Sequence, residues 1–233
     1  MKKDYTKIVF VVDRSGSMGN IAKDIIGGYN KFIADQKALK HGTCDVSFYQ
    51  FDNVYEAVYE NTPLDFVKDL DGKTYVPRGG TALLDAVGRT IDQVGKQLAA
   101  LKEEQRPEKV LVVIITDGEE NSSNVYNSEK IKQMVTHQTD HYKWAFTYIG
   151  ANQDAWAVGN SMGINATSNL TWASNSKGTA NAFSSLNNAT ACYRSVSNAS
   201  YTYTSKDAEL QVDAGAAIDL SKTAQIFKTV NNP

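Results

Sequence analysis

Two short, unbroken apolar runs stand out along the chain, Ile8–Val12 and Val110–Ile115, and each stops abruptly on polar residues. Runs of this length, rich in β-branched residues, predict strands covered on both faces, as in the middle of a parallel sheet. After the first run, Ile21, Ile25, Tyr29, Phe32 and Ile33 recur at helical spacing, with Lys23, Asp24 and Lys31 opposite, which predicts an amphipathic helix. Cys44–Phe51 and Val54–Glu60 alternate on either side of Asp52-Asn53, the pattern of an antiparallel hairpin at a sheet edge, ended by Pro63. Leu64–Pro77 is mixed and reads as a short helical turn and a loop. Beyond the break at Pro77–Thr81 (PRGGT), Leu84, Val87, Ile91, Val94, Leu98 and Leu101 form the stripe of a second helix.

Ser128 is the expected N-cap of a third helix carrying Ile131, Met134 and Val135. Lys143–Ile149 reads as a fifth strand, followed by a loop with Asn152 and Asp154, a short helix near 155–162 and a weak strand near 169–173. A last helix is expected over Lys177–Ser197, with Phe183, Leu186, Ala189 or Thr190, Tyr193 and Val196 inward. Strands alternating with helices predict an α/β fold, a doubly wound, mostly parallel sheet with one antiparallel edge hairpin and helices on both faces. The domain is expected to span residues 1–197. Residues 198–233, whose apolar positions are too sparse for a second core, form a C-terminal tail expected to pack on it as a strand or against the sheet edge. Disorder, or use of the tail and its Tyr201 and Tyr203 as a binding arm, is the alternative.

Composition narrows the function classes. A net charge of -2, with 42% hydrophobic and 21% charged residues, gives no attraction to nucleic acid or anionic membrane. No segment approaches the roughly 18 apolar residues of a membrane span. The start, MKKDYTK, has no secretory apolar region, so a cytoplasmic location is expected. In that setting Cys44 and Cys192 are expected as buried thiols.

Candidate chemistry gathers where the apolar runs stop. In IVFVVDRSGSMG, Asp13 is followed by hydroxyls at Ser15 and Ser17, with Gly16 and Gly19 easing the turn. One carboxylate and two small oxygen donors suit a hard cation, although a serine-rich helix cap would look the same. Ligands of doubly wound sheets sit at the carboxyl ends of strands near a topological switch point. That rule brings the loops Asp13–Gly19, Gly79–Thr81 and Asp117–Ser123 to one rim, presenting Asp13, Ser15, Ser17, Thr81 and Asp117.

With these residues in place, the chain resembles the von Willebrand factor type A family over about residues 5–197. DRSGSM at Asp13–Met18 matches its D-x-S-x-S, GGT at Gly79–Thr81 its threonine loop, and TDG at Thr116–Gly118 its third acidic loop. The resemblance implies a Rossmann-like fold and a metal-ion-dependent adhesion site for Mg2+, with Mn2+ or Ca2+ as alternatives. Ser15 and Ser17 would bind the ion directly, and Thr81 directly with partner bound and through water otherwise. Asp13 and Asp117 would act from the outer sphere. It further implies a non-enzymatic protein-interaction module whose partner supplies an Asp or Glu, with a ring ATPase or multiprotein assembly as the family analogy. The compact chain looks like a bacterial or phage-like intracellular member, with neither nucleic acid nor membrane as partner. In the family the last helix can shift as the rim rearranges.

Other readings meet specific obstacles. An adhesin or structural component of a surface or virus particle would need export without a signal peptide. A metal-dependent hydrolase of the aspartyl-phosphate kind needs a second Asp where Ser15 stands. Neither G-x-G-x-x-G nor G-x-x-x-x-G-K-[ST] is present for a nucleotide. A serine nucleophile would need a histidine, and His41, His137 and His141 fall off the predicted rim. His137 and His141 have zinc-binding spacing, but Gln138 stands where H-E-x-x-H has its Glu. Glu119, Glu120 and Arg78 beside the site are either solvated charges or the seat of partner selectivity.

Overall fold

The computed structural model describes residues 1–151 and 154–230; Asn152 and the last tail residues, 231–233, lie outside the described residues. Strands are β1 (Lys2–Asp13), β2 (Thr43–Phe51), β3 (Tyr55–Pro63), β4 (Pro107–Thr116), β5 (Ala145–Ala151) and β6 (Asn169–Trp172). Helices are α1 (Ala22–Ala38), α2 (Leu83–Ala99), α3 (Ser128–Tyr142), α4 (Ala155–Ser161), α5 (Ser176–Ser195), α6 (Ser205–Val212) and α7 (Leu220–Val230). The sheet order is β3-β2-β1-β4-β5-β6, parallel throughout except for β3, which runs antiparallel to β2 at the edge.

The two apolar runs become neighbours at the centre, with Ile8 opposite Leu111 and Val12 opposite Ile115. Alternation along each strand divides its side chains between two cores. Ile8, Phe10, Val12, Leu111, Val113 and Ile115 face the layer of α1 and α5. Val9, Val11, Val110, Val112 and Ile114 face α2, α3 and α4. The chain leaves β1 toward β2 on one side and later crosses back to β4 on the other. That reversal puts the topological switch point between the carboxyl ends of β1 and β4, at Asp13 and Thr116.

Several local expectations shift. Leu83, not Leu84, is buried in the first turn of α2, and Leu101 lies past the helix end and is exposed. The cap of α3 is Asn127, whose side chain accepts the Lys130 amide at 2.8 Å, rather than Ser128. Asp154 is no plain loop residue, since its carboxylate caps α4 through the Trp156 and Ala157 amides. Val196 falls beyond α5 and is exposed, and Cys192 is exposed while Cys44 is buried. The tail forms the helices α6 and α7, where a strand is one expectation from the sequence. Tyr201 and Tyr203 join the core beside Tyr193, with the Tyr203 hydroxyl 2.9 Å from that of Thr147.

The C-terminal end of α5 is tied down by two buried cations. Lys109 Nζ, from β4, donates to the carbonyls of Tyr193 (2.7 Å), Arg194 (3.3 Å) and Val196 (2.8 Å). Arg194 in turn donates to the Gln36 carbonyl and side chain and to the His41 carbonyl. No helix among the described residues is long and apolar enough to cross a membrane.

Candidate metal centre

At the end of β1 the chain stops pairing and tightens into a short 3-10 segment, Gly16–Ile21. Asp13 is fully buried, and both its oxygens are used: Oδ1 accepts the Ser15 amide at 2.6 Å and Oδ2 the Thr116 hydroxyl at 2.6 Å. The Tyr75 hydroxyl donates to its carbonyl oxygen. Ser15 Oγ lies 3.0 Å from Ser17 Oγ, and Ser17 donates to Asp117 Oδ1 at 2.6 Å. Because Ser17 gives its proton to Asp117, Ser15 is the donor to Ser17, which leaves Ser17 one lone pair for a cation.

Thr81 reaches the same place from the far side of the rim. Its loop is pinned by the Gly16 amide donating to the Gly79 carbonyl at 3.1 Å, and Gly79 takes the left-handed φ of +70° that this turn needs. Gly118 marks where the three loops meet. A Cβ there would lie 2.7 Å from Thr81 Oγ1 and 3.5 Å from both Asp13 Oδ2 and Ser17 Oγ. The five predicted residues thus converge: Asp13, Ser15, Ser17 and Asp117 through hydrogen bonds, Thr81 across Gly118. Ser17 is exposed and Asp117 half-buried, so the cluster opens on its outer side.

The remaining motif residue, Arg14, is buried and faces away from this cluster into its own ion pairs. Its Nε lies 3.1 Å from Asp52 Oδ2 and its Nη1 2.6 Å from Glu56 Oε2. Asp52 also accepts from Arg78 at 2.8 Å, so Arg78 braces the β2–β3 turn against the threonine loop.

A reciprocal clamp that sequence reasoning missed holds the acidic loop on α2. Glu120 Oε2 accepts the Leu84 amide at 2.8 Å, and Ser123 Oγ accepts the Asp85 amide at 3.0 Å. In return, Asp85 accepts the amides of Asn124, Val125 and Tyr126 at 2.8–3.1 Å. Glu120 Oε1 accepts two more amides, from Ser122 and Ser123, so Glu120 is a structural residue and not a free charge for partner selection. Glu119 is exposed, with no hydrogen bond or ion pair among the described residues. The signal available in sequence was weak: carboxylates near a helix start often cap it, but these partners lie about 40 positions apart. Burial pushes the Asp85 carboxyl up, yet its three amides outweigh that and hold it below the usual carboxylate range. Asp85→Ala is expected to lower stability by about 3 kcal/mol at neutral pH, from three amides left without acceptors. Wild-type resistance to urea in that variant would contradict the clamp. By linkage, the Asp85 contribution is complete above the ordinary carboxylate pKa and is lost as pH falls through the lowered value.

Each of the two acids at the cluster is pushed up by burial and held down by its hydrogen bonds. Burial pushes the Asp13 carboxyl up to about 6, against the lowering effect of Thr116 and Ser15. Burial likewise raises Asp117, against the Ser17 hydrogen bond. Two carboxylates that are costly to ionise without a counter-charge, beside three hydroxyls, make a donor set that fits a hard, oxygen-preferring cation. No group of three His, Cys, Asp or Glu side chains able to hold a metal occurs among the described residues. His137 and His141 stand with ring centroids 4.6 Å apart on the exposed face of α3.

No protein-family model matches the sequence, and no curated protein does. Solved structures do. The von Willebrand factor domain of the type V pili tip protein Mfa5 from Porphyromonas gingivalis aligns with a TM-score of 0.55 and 10% identity, over 84% of this chain and 98% of that one. A von Willebrand factor type A structure from Catenulispora acidiphila aligns with a TM-score of 0.51 and 12% identity, over 78% of this chain and 42% of that one. The fold is that of the von Willebrand factor type A domain. A third structure, proximal thread matrix protein 1 from the mussel byssus with a zinc-occupied MIDAS motif, aligns with a TM-score of 0.55 and 12% identity, over 80% of this chain and 46% of that one. The chain therefore spans less than half of the byssus and Catenulispora proteins. Identities this low carry the type A likeness at the level of fold.

Proposed function

We propose that this chain is a non-enzymatic protein-interaction module that captures a partner's Asp or Glu through a divalent cation at the rim of its sheet. The observation that carries the reading is the convergence of Asp13, Ser15, Ser17, Thr81 and Asp117 from three separate loops around the gap at Gly118. Ser15, Ser17 and Thr81 would hold the ion by their hydroxyl oxygens. Asp13 and Asp117 would orient those hydroxyls and supply balancing charge from behind. Bound there, Mg2+, or Mn2+ or Ca2+ in its place, supplies the attraction for an incoming carboxylate. Few anionic donors touch the ion directly, so metal and partner strengthen each other by linkage. A cytoplasmic place within a multiprotein assembly or beside a ring ATPase is part of the same reading.

The test is affinity capture from cells with Mg2+ or with chelator, using wild type and Asp13→Ala. Partners retained by wild type in Mg2+ and lost in the other three conditions are expected. The same proteins captured throughout would refute the mechanism. A second reading, a component of an extracellular fibre, has in its favour that similar structures come from a pilus tip and a byssus matrix protein. Cell fractionation separates the two readings: surface or fibre association favours the second.

A further inference from the structure

A cleft of about 430 Å³ opens beside the candidate centre, between the first turn of α2, the start of α3 and the exposed side of α4. Leu83 and Glu119 on its wall each lie two residues past a centre residue, Thr81 and Asp117 respectively, so the cleft continues the same rim. Leu83, Leu84, Val158 and Met162 give it an apolar floor. Its charged lining is Glu119, Glu120 and Asp154, with no Lys, Arg or His among the lining residues. Glu120 is committed to the α2 amides and Asp154 to the start of α4. Glu119, exposed and unengaged among the described residues, is the carboxylate free to meet a ligand.

We propose that this cleft receives the stretch of partner chain adjoining the captured acid, and that this stretch carries an apolar side chain and then a Lys or Arg within two to four residues of it. The inference rests on the cation-dependent reading above and adds the partner's local chemistry. An extended chain advances about 3.3 Å per residue and returns to the same face every second one. An apolar residue two positions past the acid and a Lys or Arg four past it therefore share the acid's face of the partner chain, the side turned toward the rim along which the cleft lies. The apolar side chain is buried on Leu84 and Val158, and the cation meets Glu119. An acidic residue at that position meets like charge, which rejects segments that carry an Asp or Glu but are acidic throughout.

Short synthetic peptides of the form Ser-Asp-Ser-Leu-Ser-Xaa-Ser, with Xaa as Lys, Ala or Glu, test this by amide NMR titration in MgCl2 and in EDTA. Expected are shifts at Leu84, Glu119 and Val158, with affinity falling from Lys to Ala to Glu by about fivefold overall, the size of an exposed ion pair. Glu119→Lys, an exposed substitution, should invert that order. Mg2+-dependent binding indifferent to Xaa, or binding that leaves the cleft amides unmoved, would overturn the cleft and leave the cation reading standing. The same Xaa order in EDTA would uphold the cleft and sink the cation reading. No binding by any peptide would overturn the cleft.

Discussion

Asp13→Asn is expected to give a protein that has lost cation-dependent capture yet, without metal, resists urea better than wild type. The gain follows from burial. Asp13 is fully enclosed, and its carboxyl is pushed from 3.8 up to about 6 by desolvation. Holding it ionised at neutral pH therefore costs roughly 2–4 kcal/mol of stability. The sign is fixed by linkage. With the folded pKa raised, the native state binds the extra proton between these two values, so stability falls as pH rises through that window and the penalty is complete above about 6. Asparagine removes the charge and keeps the shape. Its oxygen can still accept the Ser15 amide, and its amide can donate to Thr116, whose own proton can turn to the Gly118 carbonyl at 3.2 Å. The advantage of the variant should be full at pH 7.5 in EDTA and vanish near pH 4. Loss of the carboxylate should weaken Mg2+ binding about 10–100-fold, as for other groups that support metal ligands from behind. Wild-type Mg2+ affinity by calorimetry, or lower stability than wild type at pH 7.5 in EDTA, would contradict the account. Protonation of Asp13 should also weaken capture by wild type in acid, at a pH below the metal-free value because a bound cation favours the carboxylate.

Gly118→Ala should abolish capture by adding one methyl group. The backbone at Gly118 is not in the left-handed region, so alanine is tolerated there and the fold should survive. The new Cβ would stand 2.7 Å from Thr81 Oγ1, closer than such atoms approach, and 3.5 Å from Asp13 Oδ2 and Ser17 Oγ. Thr81 must swing out, and the space between the three loops is filled. Since Thr81 is assigned to the partner-bound state, partner affinity should fall at least about tenfold, more than Mg2+ affinity, a difference of about 1.4 kcal/mol or greater. Paired calorimetric titrations measure both. Unchanged partner binding would place the binding site elsewhere.

The frame of this molecule was legible because its signals are local and strong. Ile8–Val12 and Val110–Ile115 have no polar face, so they could only be central strands, and the switch point between them follows from the order of elements. The alternating hairpin at 44–60 was equally plain. What escaped the sequence depends on distant partners or on small choices among similar residues. Nothing in a pattern says that Glu120 will reach the Leu84 amide, or that Asp85 will gather three amides from the loop at 124–126. Asn127 and Ser128 are both good caps, and the approach of the chain decided between them. In the tail, two tyrosines are buried with their hydroxyls hydrogen-bonded, so they count toward the core although the surrounding residues are Asn, Ser and Thr.

The bolting of α5 bears on how such a module could be controlled. A piston stroke of one helical turn, about 5.4 Å, would carry three carbonyls out of reach of Lys109 and strand a buried ammonium, at a cost of several kcal/mol. Traction on the far end of that helix is thus a poor lever on the rim. On this geometry the proposed centre would work as a fixed socket, answering to what enters it rather than to pulling from behind.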